Sequence, residues 1–80
     1  MTGTVHEVAS GAQGTVIAAA SETGSIYLWD WKADSSPYVF RAHRDQVTDI
    51  KFSRDGRRLF SASLDGTWKI WDAEALRRKL

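Results

Sequence analysis

The sequence contains no cysteine and no asparagine in its 80 residues. Without cysteine there is no disulfide framework, no thiolate metal site and no cysteine nucleophile, although the redox compartment stays open. Without asparagine there is no acceptor for an N-linked glycan. An excess of one charge sign is also missing. The 11 basic and 10 acidic residues leave +1, too little to announce nucleic acid or an anionic membrane as the partner. No apolar run approaches the ~20 residues of a membrane span. The stretch Thr15–Ser21 mimics a signal-peptide core but has no basic segment ahead of it, and no membrane association is expected. Hydrophobic residues at 42% and charged residues at 26% describe a soluble globular chain, and an intracellular setting is the expectation. The one unusual count is four tryptophans.

Size sets a further bound. For an ideally compact chain of this length, apolar burial and the ordering of the chain each amount to about 120 kcal/mol. The balance is near zero, and any flatter shape needs a neighbour.

An internal repeat is the strongest signal. Trp29-Asp30 and Trp71-Asp72 stand 42 positions apart, and the same slide superposes Val5 on Val47, Val8 on Ile50 and Gly14 on Gly56. It also brings Ile17 onto Leu59, Ser21 onto Ser63, Gly24 onto Gly66 and Leu28 onto Ile70. Within each unit the apolar period is two. Val47–Ser53, Leu59–Ser63 and Thr67–Trp71 read as short strands, with Val47 off the strict alternation. Arg54-Asp55-Gly56-Arg57 and Asp65-Gly66 supply the turns between them. Unit one repeats the scheme with Gly11–Gly14 and Thr23-Gly24, then adds Tyr38–Arg41 after Ser35-Ser36-Pro37. The last run of unit two, Asp72–Leu80, has an N-cap candidate, good helix formers, and Leu76 and Leu80 at i, i+4. Locally that is a helix; by the repeat it is a fourth strand, and the repeat is given precedence.

A unit of this length with four strands and a closing Trp-Asp resembles the WD-repeat β-propeller family. The matching residues are Ala42-His43, Asp65-Gly66 and Trp71-Asp72 in unit two, with Thr23-Gly24 and Trp29-Asp30 in unit one. The resemblance implies an all-β fold of two four-stranded antiparallel blades: residues 1–42 as a degenerate first blade and 43–80 as the second. It also implies a hydrogen-bonded tie of Trp71, Ser61, His43 and Asp65 in blade two, with Ser63 as the less favoured serine. Blade one has Ala19, Thr23 and Met1 at the corresponding places, so no such tie is expected there. The chain reads as two whole blades, whereas closed propellers have about four to eight. Outer faces carrying Val8, Ile17 and Leu28, and Ile50, Leu59 and Ile70, are expected to lack neighbours. Completion is therefore expected from other copies or from a longer parent chain.

Ser61, His43 and Asp65 imitate a catalytic triad, but the resemblance makes them structural. No catalytic, cofactor or metal residues are assigned, since His6 has no second ligand spaced to help it. Arg41/Arg44, Arg54/Arg57/Arg58 and Arg77/Arg78/Lys79 lie on different loops among acidic residues, which favours a solvated surface over a phosphate track. The resemblance implies a protein-interaction scaffold that binds a protein or peptide on its rim. The positions implied are Arg44, Gln46, Thr48 and Leu64 in unit two, with His6 and Glu22 in unit one. A nucleic-acid-binding propeller, and an engineered or excised fragment that only self-assembles, are the alternatives.

Overall fold

Period-two runs separated by turn residues fold as successive hairpins. A computed structural model describes residues 5–10, 16–30 and 36–80, the first of these segments by its backbone alone. Strands β1 (Val5–Ser10), β2 (Val16–Ser21), β3 (Ser25–Asp30) and β4 (Tyr38–Arg41) form one antiparallel sheet in chain order. Strands β5 (Val47–Phe52), β6 (Arg58–Ser63) and β7 (Trp68–Asp72) form a second. The sheets pack against each other, with β5 against β1 and β2.

The irregular position of Val47 has a structural cause. The β5–β6 register shifts between Val47 and Asp49, so a bulge at Thr48 resets the alternation. Val47, Ile50 and Phe52 are all buried while Thr48 is exposed. The first sheet shows the same shift between Val5 and Glu7.

Two expectations are corrected. The second sheet has three strands and a helix, not four strands: α1 (Ala73–Arg77) follows β7 directly. Asp72 caps it by accepting from the Ala75 amide at 3.2 Å, and Leu76 and Leu80 pack on the core. The repeat register itself explains the difference. Residues 73–79 superpose on positions 31–37, which separate β3 from β4, and Tyr38 superposes on Leu80. Local propensity therefore decides residues 73–77, where no strand partner competes.

The second correction concerns the faces. Leu28, Ile50 and Leu59 do not lie on outer faces. They are 1%, 4% and 0% exposed in the core between the sheets, with Ala18, Ala20, Ile26, Val47 and Phe52. Directly paired residues share a face. The pairs Ala18↔Leu28 and Ala20↔Ile26 therefore meet Phe52↔Leu59, Leu59↔Trp71 and Ile50↔Ser61. The outer face of the second sheet carries Phe60, Trp68 and Ile70, which are 37%, 69% and 47% exposed. Val8 lies in β1, whose side chains are outside the described residues. The radius of gyration is 11.5 Å, about what a compact domain of this length has.

Candidate functional site

The linker from β4 to β5 carries Ala42 and His43, both buried, and the first sheet holds it in place. The Gly24 carbonyl accepts from the Ala42 amide at 2.9 Å and the His43 amide at 3.0 Å. Gly24 has a φ of +88°, and a Cβ there would stand 2.3 Å from the His43 carbonyl oxygen. From the other side, Lys69 Nζ donates to the Ala42 carbonyl at 2.7 Å. Arg41 Nε donates to the His43 carbonyl at 3.2 Å.

Held this way, the imidazole enters a chain of hydrogen bonds. Trp71 Nε1–H donates to Ser61 Oγ at 2.9 Å. Ser61 Oγ lies 2.7 Å from His43 Nε2. On the far side His43 Nδ1 is 3.0 Å from Thr67 Oγ1 and 3.3 Å from Asp65 Oδ2. The Thr67 hydroxyl donates to Asp65 Oδ1 at 2.5 Å. One assignment satisfies every group. Ser61 accepts from Trp71 and gives its proton to Nε2, while Nδ1 faces both Thr67 and Asp65. Ser63 stands apart, donating to the Asp45 carbonyl at 3.1 Å.

Asp65 does more than receive the histidine. It also accepts from the amides of Thr67 at 2.8 Å and Arg44 at 3.0 Å. The Thr67 hydroxyl, foremost, holds its carboxyl well below the usual carboxylate range. Partial burial opposes this, and the two amides and His43 add to the lowering. Sequence reasoning missed Thr67. The available signal was a hydroxyl two residues after a turn aspartate, a spacing at which Asx-type turns share hydrogen bonds.

This arrangement does not make a nucleophile. Ser61 and His43 are each 2% exposed. The serine's lone pair and proton are both committed, and Trp71 blocks one side. Among the described residues no group of three or more His, Asp or Glu is placed to hold a metal, and no helix is long and apolar enough to cross a membrane. In the first sheet Ala19, 2% exposed, offers no hydroxyl. Trp29 instead stacks on Tyr27 at 6.0 Å, and Ser21 and Thr23 bond to each other at 2.8 Å. Met1 and Trp31 lie outside the described residues.

The rim candidates gather at the end of the sheets where these turns meet. The Leu64 amide donates to the Gln46 carbonyl at 3.0 Å, and Arg44 is tied to Asp65, so Arg44, Gln46 and Leu64 adjoin one another. Thr48 stands on the bulge beside them, with its hydroxyl on the Ala62 carbonyl at 3.3 Å. Arg44, Thr48 and Leu64 are exposed and Gln46 is half-buried. Exposed Glu22 lies on the β2–β3 turn beside the Asp45 carbonyl that Gly24 approaches. His6 is placed by backbone alone, on β1. The arginines of two basic clusters, Arg57/Arg58 and Arg77/Arg78, both border Glu74. Arg41 is turned onto backbone carbonyls, and Arg57 faces Glu74 at 3.7 Å on the surface.

The WD domain, G-beta repeat family model matches residues 2–30 and 34–72. The chain belongs to the WD-repeat family. The pre-rRNA-processing protein crb3/ipi3 of Schizosaccharomyces pombe is 44% identical over 64 residues, covering 80% of this chain and 14% of that protein. Apoptotic protease-activating factor 1 of Rattus norvegicus is 38% identical over 69 residues, 85% of this chain and 5% of that protein. Eukaryotic translation initiation factor 3 subunit I of Bombyx mori is 32% identical over 66 residues, 82% of this chain and 20% of that protein. A crystal structure of the mitotic checkpoint complex contains a chain that superposes with a TM-score of 0.80 at 24% identity, over 92% of this chain and 23% of that one. The WD-repeat chain thus spans a fifth or less of these relatives' lengths. The fold is that of a β-propeller, and WD-repeat propellers are typically interaction scaffolds. The second WD match, 34–72, begins ahead of β4 in the first sheet and ends with β7 in the second. Sequence repeat and sheet are therefore out of phase.

Proposed function

We propose that this WD-repeat segment is part of an intracellular protein–protein interaction scaffold with no catalytic role. A protein or peptide ligand meets the rim formed by Arg44, Gln46, Thr48 and Leu64, with His6 and Glu22 on the neighbouring sheet. The two sheets belong to a closed ring completed head-to-tail by further copies or by neighbouring blades of a longer parent chain. The observation that carries this reading is the outer face of the second sheet. Phe60, Trp68 and Ile70 stand 37%, 69% and 47% exposed, and large apolar side chains clustered in this way mark an interaction surface. The 42-residue slide superposes that face on Ala18, Ile26 and Leu28, which the second sheet covers within the chain. Two relatives point the same way by name, one a subunit of an initiation factor and one a chain in a checkpoint complex.

Native mass spectrometry of the chain tests the ring. With two blades per copy, an assembly of about three or four copies is expected, and a folded monomer at micromolar concentration overturns self-assembly. Anisotropy with a labelled single-stranded RNA tests the scaffold reading. Negligible binding is expected at physiological salt, whereas tight binding that weakens steeply with salt would replace the protein ligand by nucleic acid.

A further inference from the structure

The pair Ser36-Pro37 leads into β4, and both residues are exposed. Proline has no amide hydrogen to give to a neighbouring strand, and it drives the residue before it into extended backbone. The pair accordingly stands outside the sheet, since pairing of β4 with β3 stops at Tyr38 opposite Leu28. An exposed serine, held extended by the proline after it, presents its hydroxyl in the form a kinase cleft can accept.

The register shows what lies beside it. Carrying the Leu28↔Tyr38 pairing two residues further sets Ser36 level with Asp30, the last residue of β3. Val16, the first residue of β2, pairs with the same Asp30. Helix α1 and the residues after it cross this end of the sheet. Arg77 and Arg78 line an open cleft with Val16 and Asp30, and Lys79 Nζ lies 5.7 Å from the centre of the Tyr38 ring. The basic run Arg77-Arg78-Lys79 therefore spans the end of the first sheet from β2 to β4. Arg78 and Lys79 are exposed and Arg77 is half-buried. Two carboxylates share the area, Asp30 and Glu74, and Glu74 also faces Arg57 at 3.7 Å.

We infer that Ser36 is a phosphorylation site for a kinase that reads serine followed by proline, and that the basic run Arg77-Arg78-Lys79 holds its phosphate. In the transfer, Ser36 Oγ bonds to the γ-phosphorus of ATP and the bond from that phosphorus to the β–γ bridging oxygen breaks. ADP leaves, and the hydroxyl proton passes to the catalytic base of the kinase. The product carries about two negative charges and three acceptor oxygens. Three cations outnumber the two carboxylates here, so attraction remains for it. The carbonyl end of α1 opposes an anion, but a five-residue helix has a small dipole beside three full charges. The modification would act as a strap. Helix α1, whose Leu76 packs on the core, becomes tied to the first sheet by charge as well. The inference depends on neither the ring nor the rim ligand.

The test incubates the intact chain with ATP and a cyclin-dependent kinase, and separately with a mitogen-activated protein kinase. Mass spectrometry is expected to place one phosphate on Ser36, and Ser36→Ala should not acquire it. Phosphorus NMR then follows that phosphate against pH, beside an end-capped phosphopeptide of residues 36–41. The peptide should titrate at about pH 6. The chain should titrate at least ~0.5 pH unit lower, because nearby cations favour the dianion. In the double variant Arg78→Gln/Lys79→Gln the midpoint should return toward that of the peptide. Phosphorylation should also raise the Tm of the parent by about 5 °C, and that of the double variant by less than half as much. Absence of phosphate on Ser36 with both kinases, or a titration midpoint in the parent equal to the peptide's, overturns the inference.

Discussion

Replacing Ser61 by alanine removes the atom on which the buried hydrogen-bond chain turns. Trp71 Nε1–H loses its acceptor at 2.9 Å and His43 Nε2 loses its donor at 2.7 Å. The imidazole is fully buried and water cannot easily replace the hydroxyl, whereas Trp71 is half-exposed and its indole has some recourse to solvent. A stranded buried polar group costs about 1–3 kcal/mol. The histidine at the upper part of that range and the indole at the lower part give a loss of about 2–4 kcal/mol. In a domain of this size, that corresponds to a fall in Tm on the order of 10–25 °C. Ser36→Ala, on an exposed segment, is the reference and should stay within about 0.5 kcal/mol of the parent. Urea denaturation of Ser61→Ala, Trp71→Phe and the double variant then gives the coupling directly, expected at about 1 kcal/mol. The first sheet offers the contrary possibility, since Ala19 already stands at the serine position beneath a tryptophan. If Ser61→Ala costs no more than Ser36→Ala, or if the two single losses simply add, the hydrogen-bond chain contributes nothing to stability.

Two further substitutions separate causes that the structure places side by side. Gly24→Ala and Gly66→Ala impose the same backbone conformation on alanine, at φ +88° and +87°, but only the first drives a Cβ onto the His43 carbonyl, the second meeting open space. Gly24→Ala should therefore lower the denaturation midpoint well beyond Gly66→Ala, and equal shifts would mean that the carbonyl staple does not bear load. Asp65→Ala should lower the midpoint more than Thr23→Ala, because Asp65 serves two amides, a hydroxyl and the imidazole. The sign with pH follows from its lowered carboxyl: the stabilisation is fully present above the ordinary carboxylate range and is lost as pH falls through the depressed folded value. Parent and Asp65→Ala should thus differ at neutral pH and converge only in strong acid, as read by denaturation midpoints across a pH series.

The strands were legible because a period-two pattern recurs after 42 residues, and tight turns flag themselves with Asp65-Gly66 and Thr23-Gly24. The partners of Trp71 were legible through the family resemblance, with which the chemistry agrees, as an indole N–H needs an acceptor and a hydroxyl can pass the bond on. What lies between the sheets was less so. Alternation says that Leu59 faces opposite Phe60, and the 42-residue slide places Leu28 on Ile70, but neither says which face finds a neighbour. That depends on how sheets stack, a long-range outcome. The hold of Gly24 on the Ala42 and His43 amides uses backbone atoms that every residue owns, so no side-chain pattern announces it. The helix at residues 73–77 departs from the strand expected there because the repeat places these residues between the third and fourth strands, where local propensity decides.

The half-step offset between repeat and sheet bears on cooperativity. A segment such as 34–72 contributes β4 to one sheet and the rest of its strands to the next, so neither sheet can come apart without disturbing the repeat that spans both. In the language of linear repeat arrays, the coupling between neighbours is covalent as well as interfacial. A protease nick placed between Arg41 and Val47 would spare every strand yet sever that coupling. It would turn one sharp unfolding transition into two, with the first sheet surviving or failing on its own packing.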